Sequence, residues 1–180
     1  MRARFDFYHL HARSAGLEEV VARLALKALE GSRRVLVMAA SPERLKALDS
    51  ALWTFEANSW LPHGSAFDGP DHAADQPVYL ATEPENPNGA QFLFLTEGTW
   101  REDAPGFERV FVLFDERDAD ALDRARGLWK TLKDQGFPLH YWQQVPLDGD
   151  PGRRGWREQA SANLEPPAHA PSDAEPGTGA

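Results

Sequence analysis

Residues 33–53, RRVLVMAASPERLKALDSALW, hold a strand and the helix after it, and the fold class turns on how the two are joined. Val35 to Ala39 is apolar throughout, the pattern of a strand covered by helices on both faces. A strand wetted on one side would alternate instead. Ser41, Pro42 and Glu43 then open a helix: a capping side chain, a residue pre-set for the first helical position, and an acid at the positive end of the helix dipole. Leu45, Leu48 and Leu52, at i, i+3 and i+7, give that helix one apolar stripe.

Upstream, Phe5 to Leu10 reads as a first strand, and Leu17, Val20, Val21, Leu24 and Ala28 trace a helix that stops at Gly31, where a left-handed cap is expected. Strand, helix, strand, helix implies parallel pairing with right-handed crossovers. Downstream, residues 62–76 are rich in Gly, Asp, His and Pro and predict a long surface loop with no core. Val78 to Ala81 and Phe92 to Thr96 flank TEPENPNGAQ, too short and Pro-rich for a crossover helix. A tight connection is expected there, which would make the sheet mixed. Val110 to Phe114 is another buried strand, Asp118 to Gln135 a long helix ending at Gly136, and Leu139 to Gln143 the last strand expected. The architecture predicted is α/β, a three-layer α/β/α domain over residues 1–147 with a mixed, largely parallel sheet. From Pro151 onward Pro, Gly, Ala and Ser dominate, so residues 148–180 are expected to form a disordered tail.

Composition narrows the function. A chain of 180 residues, 42% apolar, buries one sizeable core. Its formal charge of -9 opposes direct binding to phosphate backbones, so any link to DNA is expected to be indirect. Cysteine is absent, which removes disulfide and thiolate chemistry and fits a reducing compartment. MRARFDFYHLHARS carries no signal-type apolar run and no later stretch has the length of a membrane span, so a cytoplasmic protein without a membrane contact is expected. The turn HARSAGLEEV lacks the glycine patterns of dinucleotide and phosphate loops. The histidines at 9, 11, 63, 72, 140 and 169 are scattered, and Ser59 and Ser65 have no visible base, so no catalytic residue, metal or cofactor is expected.

Four stretches remain distinctive: FDFYHL, RRVLVMA, LDSALWTFEANSWLPHG at 48–64, and GLWKTLKDQGFPLHYW at 127–142. In order and spacing over residues 1–145 they resemble the chi subunit family of bacterial DNA polymerase III, most specifically in the leucine-aspartate-leucine-tryptophan block followed by Ser-Trp-Leu-Pro-His. The resemblance implies a Rossmann-like fold without a nucleotide site and a non-catalytic accessory subunit of the clamp-loader complex. It also implies two partners: the psi subunit, and the acidic C-terminal tail of the single-stranded DNA-binding protein.

The residues offer a surface for each. Arg126, Lys130 and Lys133, at i, i+4 and i+7, form a cationic strip beside the apolar stripe of Leu122, Ala125, Leu128, Trp129 and Leu132. Such a strip suits a short acidic peptide ending in an apolar residue. The family's tail site, carried over by position, includes Arg126, Trp129 and Lys130, whereas Leu122 stands where relatives often have a basic residue. The alternative is a solvated helix face whose cations complement the dipole, with Trp129 as core. At the second surface the resemblance places Trp60 where psi docks, with Trp53, Leu61 and Pro62 around it, and a buried aromatic anchor is what a binding hot spot needs. Trp53 serves equally well as core, and His63 is expected to cap the turn. The competing function is a Rossmann-like enzyme or small-molecule binder, with its ligand at the Ser14 to Gly16 or Ser41 to Pro42 turns.

Overall fold

In the computed structural model, which describes residues 2–11, 16–55, 60–147 and 150–164, the chain runs β1 (Arg4–Leu10), α1 (Leu17–Glu30), β2 (Val35–Met38), α2 (Pro42–Thr54), β3 (His63–Ser65), β4 (Val78–Ala81), β5 (Phe92–Thr96), β6 (Arg109–Asp115), α3 (Ala119–Asp134), β7 (Leu139–Leu147) and β8 (Asp150–Ala162). The strands form one sheet in the order β3-β4-β2-β5-β6-β1-β7-β8, parallel except for the antiparallel pair β7 and β8. Strand alternation sorts the side chains into two cores. Phe5, Phe7, Leu95 and Val112 pack with Ala121, Ala125 and Leu132 of α3. Leu10, Val37 and Phe94 pack on the other face with Val21 and Ala25 of α1 and Leu45 and Leu48 of α2. Three layers, α/β/α, are what the buried strand of residues 35–38 demands, and the pair β7 and β8 makes the sheet mixed.

The helix ends follow the local chemistry. Ser41 Oγ accepts from the Arg44 amide at 3.2 Å and Asp118 Oδ1 from the Ala121 amide at 2.9 Å, each relieving one of the unpaired first-turn donors. Ser41→Ala should cost about 1 kcal/mol. A lowered urea midpoint at unchanged slope would show it. Gly136 (φ 80°) closes α3 in the left-handed region, but Gly31 (φ -83°) does not close α1 that way. Ser32 (φ 55°) takes the left-handed position one residue later.

Three segments differ from expectation. Within residues 62–76 the chain forms β3, buried at all three positions and paired parallel to β4, followed by two short 3₁₀ turns. Three residues reading His-Gly-Ser carry no apolar run, so the strand is held by its ladder rather than announced by its side chains. The connection 82–91 does not make a hairpin, because β4 and β5 lie on either side of β2 and are parallel to it. Strands this short span only about 13–17 Å, which ten extended residues can retrace without a helix. Arg101, buried, fixes this connection by donating to the carbonyls of Pro84 and Glu85, and Asn88 donates to those of Val35 and Gln76. Finally, residues 150–162 are not a loose tail: they are β8, registered along β7 from Leu147↔Asp150 to Leu139↔Ala162. Residues 148, 149 and 165–180 lie outside the described residues.

Candidate functional site

α3 lays Ala125 and Leu132 into the core and leaves Arg126, Lys130 and Lys133 exposed as one strip. Trp129 is half-buried between them, edge-on to Phe7 at 5.2 Å and to Tyr141 at 5.9 Å. Its ring packs against the core and keeps part of its surface at the edge of the strip. Arg126 reaches Asp123 at 3.1 Å, but both side chains are well exposed, so the pair is weak and the guanidinium is available to another carboxylate. Leu122 packs against the core instead of extending the strip.

Two further residues lie near the strip: Tyr141, which borders Trp129, and His9, which bonds to Tyr141. His9, which shares its strand parity with Phe5 and Phe7, has Nδ1 2.9 Å from the Tyr141 hydroxyl, and its ring stacks on Phe114 at 5.1 Å. Burial pushes the His9 imidazole below its usual range, and the charges of His11 and Arg126 add to that while Glu116 and Asp115 oppose it. Burial likewise raises the Tyr141 phenol, with Arg126 pulling the other way. Alternation along FDFYHLH and the register Phe7↔Tyr141 are the signals that place both beside the strip. The chain after β8 also arrives here: Asn163 Nδ2 donates to the carbonyls of Lys133 and Phe137.

The second set gathers at the end of α2, on the opposite side of the sheet. Trp60 is 75% exposed and Trp53 61% exposed, the latter lying over the His63 ring at 4.7 Å. Trp53 is therefore not core. Leu61 is, at 2% exposed, and joins the α1 and α2 core. It anchors the segment from inside and offers no surface, a correction to its expected place in the interface, while Pro62 is half-buried. His63 holds the turn, with Nδ1 2.8 Å from the Leu61 carbonyl. Residues 56–59, Ser59 among them, lie outside the described residues.

At the carboxyl ends of the strands, where α/β sheets usually take ligands, the depression beside Gly16 holds Glu18, Glu97, Asp115 and Asp118 against Arg44 and Arg117. Arg44 is already bound to Glu18 and Glu97 at 2.8 and 2.9 Å. This excess of carboxylates repels phosphate, which argues against a nucleotide there. Ser14 lies outside the described residues. Among the described residues no three His, Asp or Glu side chains converge as a metal site would require, and no helix is long and apolar enough to cross a membrane.

The molecule is accordingly an α/β/α layered protein whose distinctive side chains sit on helix faces and turns rather than in the strand-end crevice. It belongs to the family described as DNA polymerase III chi subunit, HolC, whose model matches residues 2–140. It is 28% identical over 137 residues to the DNA polymerase III subunit chi of Pseudomonas aeruginosa, covering 76% of this chain and 93% of that one. The Escherichia coli subunit chi is 28% identical over 130 residues, covering 70% and 84%. The probable subunit chi of Rickettsia prowazekii is 26% identical over 119 residues, covering 62% and 70%.

Proposed function

We propose that this chi-family chain is a non-catalytic bridge in the DNA polymerase III clamp-loader complex. The face around Trp53, Trp60 and Pro62 receives the psi subunit. The strip of Arg126, Lys130 and Lys133, rimmed by Trp129, receives the acidic C-terminal tail of the single-stranded DNA-binding protein. The observation that carries this reading is the placement of the two sets: α2 and α3 cover opposite faces of the sheet, so both partners can be held at once. A guanidinium grips a carboxylate bidentately while a half-buried indole shelters an apolar terminus, which matches an acidic peptide ending in a hydrophobic residue.

The tail site is tested by titrating a labelled acidic peptide of that kind. Arg126→Ala should weaken binding by about 1.5–3 kcal/mol, the range for hydrogen bonds to charged groups, and added salt should weaken the wild-type complex. An identical curve for mutant and wild type would remove Arg126, and with it the strip, from the site.

A further inference from the structure

α1 packs over β2 and β6, and a cavity of about 990 Å³ lies between this helix and strands β5, β6, β1, β7 and β8. Neither surface described above contributes to it. Three rings on adjacent strands line its floor in a row. Phe111, Tyr8 and Trp142 stand nearly parallel, with centroids 5.9 and 6.4 Å apart and planes 20° and 22° apart. Trp156 of β8 meets Tyr8 edge-on at 4.8 Å, and the Arg109 guanidinium lies 4.4 Å over Phe111.

Asp6 fixes this arrangement from beneath. Its carboxylate, fully buried, accepts from Arg109 Nε at 2.7 Å, from Arg4 Nε and Nη2 at 2.9 and 2.6 Å, and from the Trp142 indole N–H at 2.9 Å. Around the rim Arg23 is paired with Glu19 and Arg33 with Glu108. Lys27 has no ion pair among the described residues. Arg109, which lines the cavity, and Arg4, which does not, share the one carboxylate of Asp6, and Lys27 adds an ammonium at the rim, a local positive excess on a chain of net charge -9.

Tyr8 and Phe111 are buried, so the half-buried indoles of Trp142 and Trp156 are the rings this cavity offers, and with the charges beside them they suit a planar heterocycle that carries an anionic group: the base lies on an indole and the phosphate meets Arg109 and Lys27. An acidic peptide would use the charges but not the indole faces. We propose that this cavity binds a nucleoside phosphate unit, met either as a free nucleotide or as part of a DNA single strand. The volume is at the upper end for small-molecule sites, and the negative charge of the rest of the chain keeps the contact short. This goes beyond the bridge reading and does not depend on it.

The test titrates the full chain at low salt with labelled octathymidylate, by fluorescence anisotropy, and with thymidine monophosphate, by calorimetry. Binding that Lys27→Glu weakens at least tenfold supports the site. Binding of both ligands identifies the free nucleotide as sufficient, whereas binding of the oligonucleotide alone identifies the strand. Lys27→Glu should keep the wild-type urea midpoint and bind the acidic tail peptide as the wild type does, which separates this site from α3. No binding of either ligand at millimolar concentration, or equal binding by the variant, overturns the proposal. So does an acidic peptide that binds in a Lys27-dependent way while both nucleotides fail.

Discussion

Asp6→Ala is expected to destabilise the chain by about 3 kcal/mol, the lower end of the cost of breaking a buried charge pair by removing one partner. The carboxylate is fully buried and receives two guanidinium groups and an indole N–H, all of which lose their acceptor in the variant. Arg4 and Arg109 retain some exposure, 38% and 28% of their side chains, so water recovers part of the loss. The same contacts set a pH signature. Burial works to raise the Asp6 carboxyl, but the hydrogen bonds and charge of Arg109, with Arg4 and Trp142, outweigh it and hold the group below its ordinary value of 3.8. A carboxyl depressed in the folded state contributes its full stabilisation above the unfolded value, and that contribution disappears as pH falls through the folded one. The stability gap between wild type and Asp6→Asn should therefore be constant from neutral pH down to about 4 and narrow below it. Urea unfolding at pH 7 and pH 3 checks this, and an equally wide gap at pH 3 would mean that the charge of Asp6 is not what holds the cluster.

What the sequence shows plainly is whatever side chains settle locally. The Val35 to Met38 run, the Ser41 and Asp118 caps and the stripe of α3 each need only nearest neighbours to be read, and the layers follow from them. Elements held by the backbone are silent by comparison. β3 has no apolar run, and β4 and β5 are so short that an ordinary loop can return between parallel strands. β8 is hidden by its Pro, Gly and Arg content, although Asp148-Gly149 is the dipeptide that favours a two-residue hairpin and Trp156 is a large apolar residue with a need for cover. The candidate surfaces divide in the same way. The cationic strip is periodic and therefore readable, whereas the burial of Leu61, the exposure of Trp53 and the meeting of Tyr141 with His9 and Trp129 depend on packing between segments distant in the chain.

On the bridge reading, Trp60→Ala should abolish co-purification with the psi subunit, a loss of at least about 2 kcal/mol if the indole is the anchor of that interface. With the ring 75% exposed, its removal leaves no cavity, and the fold should change by no more than about 0.5 kcal/mol. Trp53→Ala should be milder, because its indole already rests on His63 and has less area left for a partner. The acidic peptide should bind Trp60→Ala with wild-type affinity, because α3 lies across the sheet from the end of α2. Loss of peptide binding with an unchanged urea midpoint would show that the two faces are coupled through the sheet, and the claim that they act independently would fail. Retention of psi by a folded Trp60→Ala protein would be more damaging, since it would remove the only exposed large ring of the Ser-Trp-Leu-Pro-His segment from the interface and leave Trp53 to carry it.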